Sequence, residues 1–156
     1  MANVKVSSDI GAPVDVVFGC FTDIQQAPQN VSGIKQIELL TPGGFSLGTR
    51  WRETREVLGR NDDAEMEVTS FEKNHSYTIT HQKGGVRITA TFLFEPIPNA
   101  STRVSIEFAL HASGLPPGLL APVEWAVSGK VREVLTADLE DLRSAVGTIA
   151  AQWSYS

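Results

Sequence analysis

At 156 residues, with 42% hydrophobic and 20% charged side chains, the chain suits one domain with a sizeable core and excludes a disordered or fibrous protein. Thirteen Lys and Arg against eighteen Asp and Glu leave a formal charge of −5, which argues against nucleic acid or an anionic membrane surface as partner. The single Cys20 allows no internal disulfide, no apolar run approaches the ~20 residues of a membrane span, and Met1 to Lys5 carry no signal-peptide pattern, so the expected location is cytoplasmic, without integral membrane association.

The first predicted element is a strand, Asn3 to Ile10, β-branched at Val4 and Val6. Gly11-Ala12-Pro13 breaks it. Pro13 and Asp15 then open a helix in which Val17, Phe21 and Ile24 recur at helical spacing. Cys20 shares that apolar face and reads as a small buried hydrophobe rather than a reactive thiol. Pro28 ends this helix or separates it from a second short one, and Ser32-Gly33 returns the chain to an extended segment, Lys35 to Leu40.

After the loop at Thr41 to Gly44 the period changes to two. Strands are predicted over Arg50 to Leu58, Ala64 to Phe71, Tyr77 to Gln82 and Val86 to Glu95, followed by one that contains Val104, Ile106, Phe108 and Leu110. Between them, Gly59 to Asp63, Lys73-Asn74-His75, Lys83-Gly84-Gly85 and Asn99-Ala100-Ser101 are turns, and Pro96 and Pro98 close their strand. Alternation with short turns means an antiparallel meander with one face buried. Beyond Gly114 to Gly118, Val123, Val127, Val131, Leu135, Leu139, Leu142 and Val146 mark one long helix, about Pro122 to Val146, with Gly147 as its stop. Gly129 inside it either permits close packing on the sheet or bends the helix.

The implied fold class is α+β: a curved seven-stranded antiparallel sheet wrapped around a long C-terminal helix, with two short helices after the first strand. Residues 1–150 form one domain and 151–156 a C-terminal tail. A strongly twisted sheet curls, one helix fills only part of the concavity, and the remainder is packed or left as an apolar pocket.

Several segments carry a family resemblance: Ile10-Gly11-Ala12-Pro13-Val14-Asp15-Val16-Val17-Phe18, Phe21-Thr22-Asp23-Ile24 with Pro28, Gly48-Thr49-Arg50-Trp51-Arg52-Glu53, Glu67-Val68-Thr69-Ser70-Phe71, Thr102-Arg103-Val104 and Asp138-Leu139-Glu140-Asp141-Leu142-Arg143. Together they resemble the polyketide cyclase/dehydrase and lipid-transport branch of the START-like, helix-grip superfamily. The resemblance implies a cavity for a small hydrophobic molecule. It implies no single activity, because such folds host carriers, cyclases and receptors alike.

Alternation places Trp51, Glu53, Arg55 and Val57 on one strand face. If that face is inward, Glu53 and Arg55 pair with each other and either orient a ligand or put Glu53 in reach as a general base; if bulges invert it, both are in water. Tyr77, Ile79 and His81 share a face by the same count, with His81 either wet near its hairpin or available for proton transfer. Glu53, Arg55 and His81 are therefore the candidate catalytic residues. The expected ligand wall is Trp51, Glu53, Arg55, Met66, Val68, Tyr77, Ile79, His81, Ile88, Ala90, Phe92, Ile106 and Phe108, with Leu119, Leu120, Val127 and Val131 from the helical side. Leu115, Leu119 and Leu120 form either an apolar gate or an ordinary packed connection.

His75, His81 and His111 have no ligand-type spacing, so no metal site is expected, and no cofactor motif is present. Gly43, Gly44 and Gly48 lie between two strands and read as a pocket rim, not a phosphate cradle. The leading expectation is binding or transport of a small hydrophobic ligand in the internal cavity. A cyclase- or dehydratase-type enzyme and a protein-interaction module are the alternatives, and edge strands or a helix face leave room for a homodimer.

Overall fold

The structure, a computed structural model, describes residues 2–57, 59–112 and 117–154, with the side chains of 3–56, 59–112 and 129–151. Strand β1 (Ala2–Ile10) leads into helix α1 (Val14–Thr22), a single 3-10 turn (Ile24–Gln26) and the short α2 (Ala27–Asn30). Then follow β2 (Ile34–Leu39), β3 (Arg50–Val57), β4 (Arg60–Glu72), β5 (Ser76–Lys83), β6 (Val86–Ile97) and β7 (Ser101–Ala112), and finally α3 (Pro117–Ser154). The seven strands form one antiparallel sheet in the order β1-β7-β6-β5-β4-β3-β2. Consecutive strands are neighbours from β2 to β7, as short turns dictate, and β1 closes the far side against β7.

The expected α+β helix-grip architecture is the observed one, with differences at element ends. Asn61, Asp62 and Asp63 are not a turn: they pair with Glu56, Arg55 and Thr54 of β3. Thr54 donates from its hydroxyl to Asp63 at 2.7 Å, so polar cross-strand partners hold an acidic run extended. Pro96 lies inside β6 rather than closing it, opposite Thr102. It is tolerated there because β5 stops pairing at Leu93, leaving that side of β6 without a ladder that needs the missing N–H. Pro117 rather than Pro122 opens α3, and Gly147 does not stop it. The apolar stripe runs through Gly147, with Ala145 before it and Ile149 beyond it packed against the core. Gly129 is exposed and a Cβ there meets no described atom within 4 Å, so close packing does not explain it.

Registers confirm which strand faces point inward. Trp51 lies opposite Met66, Val68 opposite Ile79, Tyr77 opposite Phe92, and Phe92 opposite Ile106. Helix α3 packs along β1 and meets α1 and α2. Aromatic rings fill much of the concavity between sheet and helices. Phe18 of α1 meets Phe94, Phe71 and Tyr77 edge-on at 5.0, 5.8 and 5.9 Å. Phe45, from the glycine-flanked loop before β3, covers Tyr77, Trp51 and Phe71 at 5.0–6.0 Å. Among the described residues no helix is long and apolar enough to cross a membrane.

Candidate functional site

Strand β3 supplies the site's polar wall, because its period-two pattern puts a Trp, an acid and a base on the inward face. The indole N–H of Trp51 donates to Glu53 Oε1 at 3.3 Å, and Arg55 Nε donates to Glu53 Oε2 at 2.7 Å. The guanidinium then reaches α3, where Nη1 and Nη2 donate to the two oxygens of Asp138 at 3.2 and 2.7 Å. Glu53, Arg55 and Asp138 keep 8, 25 and 15% of their side-chain surface, so this network is largely withdrawn from water. A Cβ on Gly33 would lie 3.2 Å from Arg55 Nη1, tighter than an ordinary contact, so glycine leaves the guanidinium its position without crowding. One turn further along α3, Asp141 accepts from the Ser32 backbone N–H and hydroxyl at 3.0 and 2.9 Å.

Two carboxylates share one guanidinium, and the protonation equilibria follow. Burial works against the charged form of Arg55, but Asp138 and Glu53 outweigh it and hold the group firmly protonated. Burial pushes the Asp138 carboxyl above its ordinary value despite Arg55, with the charges of Glu53 and Asp141 adding to the effect.

Beside the network lies a cavity of about 80 Å³. Phe21, Ile24, Ala27 and Val31 wall it from the helical side, Trp51, Tyr77, Ile79 and Phe92 from the sheet, and Asp138 and Leu142 from α3. Tyr77 stacks on Phe92 with ring centroids 4.6 Å apart and is only 2% exposed. Its hydroxyl has no hydrogen-bond partner among the described residues, yet no fully enclosed polar atom there lacks one. Tyr77 lines the cavity. Burial and the neighbouring Cys20 push this phenol well above its usual range, so it is a neutral donor at physiological pH. Cys20, Asp23 and Asn30 also border a wider groove of about 590 Å³ between α1, α2 and α3. Asp141, Ser144 and Thr148 of α3 and Gln26 and Gln29 complete its walls.

Of the expected wall, Trp51, Glu53, Arg55, Tyr77, Ile79 and Phe92 border this cavity. Val68 and Ile106 are fully buried core residues, while Met66, Ala90, Phe108 and Val131 pack half-buried against that core. Ile88 is half-buried opposite His81 and Leu110, away from the cavity. His81 donates from Nδ1 to the Glu65 carbonyl at 2.9 Å, so its ring serves the β4 backbone. His75 is exposed and His111 half-buried. The side chains of Val57, Leu119, Leu120 and Val127, and all of Leu115, lie outside the described residues. No group of metal-ligating side chains comes together among those described.

Asp138, Phe21, Asn30 and Leu142 belong to the site without having been singled out by strand alternation. Asp138 had a readable signal: it stands on the helical stripe between Leu135 and Leu142, where an acid interrupts an apolar face. Phe45 and Phe18 had none, because filling a concavity depends on how α1 and the loop fold over the sheet.

With this geometry in hand, the class is clear: the chain belongs to the family described as polyketide cyclase / dehydrase and lipid transport, whose model matches residues 1–147. In fold it is similar to a START superfamily protein from Mycobacterium smegmatis, at a TM-score of 0.76 and 18% identity over 96% of this chain and 99% of that one. It is also similar to the Zhui aromatase/cyclase from a Streptomyces species (TM-score 0.72, 14% identity, 93% of each chain). Norcoclaurine synthase from Thalictrum flavum gives a TM-score of 0.75 at 16% identity, covering 95% of each. No curated protein matches the chain in sequence. Identities this low carry the fold and not an activity.

Proposed function

We propose that this protein binds a small, mainly apolar molecule with its ring or chain against Tyr77, Phe92, Phe21 and Trp51. The observation that carries the reading is a cavity walled by Tyr77, Phe92, Phe21 and Trp51, in which the Tyr77 hydroxyl has no hydrogen-bond partner among the described residues. A ligand acceptor at this hydroxyl adds a hydrogen bond worth about 0.5–1.5 kcal/mol. The cavity's 80 Å³ is smaller than the ~150 Å³ that takes up benzene, so the bound molecule extends into the adjoining groove. Binding without turnover is favoured over a cyclase- or dehydratase-type reaction, because Glu53 and Asp138, the carboxylates in the polar wall, are both engaged with Arg55. Family membership is consistent with either.

Native mass spectrometry of the purified chain tests this directly: a recurrent small-molecule adduct is expected, lost on denaturation. Added back at about a hundred times its Kd, that molecule raises Tm by about 5–10 °C. A clean apo mass, with no thermal response to any of a panel of small aromatic and aliphatic alcohols, would sink the reading.

A further inference from the structure

The charges around the cavity say which kind of molecule fits. Cavity and groove together are bordered by four carboxylates, Asp23, Glu53, Asp138 and Asp141, and by one cationic side chain, Arg55. Arg55 is not available to an incoming anion: Nε is committed to Glu53, and Nη1 and Nη2 to Asp138. Nor can the undescribed side chains supply a base, since residues 57–58, 113–128 and 152–156 contain no Lys, Arg or His. An anionic ligand would enter a low-dielectric space facing excess negative charge with no cation to meet it.

We infer that the ligand is an organic cation, an aromatic or arylalkyl amine whose ring lies against Tyr77 and Phe92 while its ammonium group faces Asp23 and Asp141. This assignment rests on the cavity reading above and narrows it. Three observations converge on it. The Glu53–Arg55–Asp138 network holds one positive charge for two negative ones. Tyr77, Phe92 and Trp51 line the cavity and form the aromatic wall against which the amine's ring rests. Asp23, on the shared border of cavity and groove, is exposed, and no described side chain neutralises it by an ion pair.

The test is calorimetric titration of the full chain at pH 7 with three probes of one shape: 2-phenylethylamine, 2-phenylethanol and phenylacetate. The amine binds at least about tenfold tighter than phenylacetate, with the alcohol between them. Asp23→Asn, an exposed change, weakens the amine about threefold or more and leaves the alcohol unchanged, and 0.5 M NaCl reproduces that loss. Phenylacetate binding as well as the amine, or an amine preference untouched by both Asp23→Asn and salt, overturns the charge assignment while the cavity reading stands. Failure of all three probes overturns both.

Discussion

Arg55 on β3 and Asp138 on α3 stand 83 residues apart in sequence and meet through two parallel hydrogen bonds, at 3.2 and 2.7 Å. This fork joins the sheet to the C-terminal helix beside the cavity that both residues line, and Glu53 accepts from the same guanidinium. Because the pair is mostly buried, removing one partner is costlier than the pair is worth. Arg55→Met is expected to lose about 3–5 kcal/mol in urea unfolding, since it strands two carboxylates. Adding Asp138→Leu to that variant should recover part of the loss. A simple sum of the two single effects would show that the residues are not coupled.

Gly33 is where the backbone passes nearest this fork. In Gly33→Ala the new methyl lies 3.2 Å from Arg55 Nη1 and moves the guanidinium by a few tenths of an ångström. We expect a loss of about 1 kcal/mol, within the range of overpacking. The same change in an Arg55→Met background should cost little, because the crowded atom is gone. An equal loss in both backgrounds would place the cost in the backbone instead.

Tyr77→Phe separates binding from stability. Deleting the hydroxyl, which has no hydrogen-bond partner among the described residues, keeps the stack on Phe92, so the stability of the ligand-free protein changes by less than about 1 kcal/mol. The variant binds 2-phenylethanol more weakly, by about tenfold, through loss of one hydrogen bond in a dry site. A larger loss of stability in ligand-free Tyr77→Phe would mean that the hydroxyl has a structural partner.

Cys20 provides a pH signature. Burial, with the nearby charge of Asp23, pushes its thiol up to about 11. The folded value lies above the unfolded one, so the thiol's contribution to stability is complete below the unfolded pKa near 9 and is lost as pH rises through 11. Alkylation by iodoacetamide in the native state is accordingly slow at pH 8 and gains rate with a midpoint near 11, whereas in urea it follows an ordinary cysteine near 8.5. A native midpoint at 8–9 would refute the burial.

Much of the architecture is written in local order. The period-two runs that contain Trp51, Glu53 and Arg55, or Tyr77 and Ile79, suffice to place those side chains on one face, and burial of their apolar members makes that face inward. The stripe Val131, Leu135, Leu139, Leu142 and Val146 likewise defines α3. Ends are less readable, as β4 shows: an Asn-Asp-Asp run looks like a turn until Glu56, Arg55 and Thr54 lie opposite it.

Sequence alone therefore determined the element types and which residues share a strand face, because each depends on residues a few positions apart. Only tertiary structure decided that β3 turns Glu53 and Arg55 inward, that Asp138 takes the other side of Arg55, and that Phe18 and Phe45 pack into one aromatic cluster over the sheet. Those outcomes depend on packed volume and on contacts between distant segments, and no periodicity along the chain encodes how much space is left when a helix and a loop close over a twisted sheet.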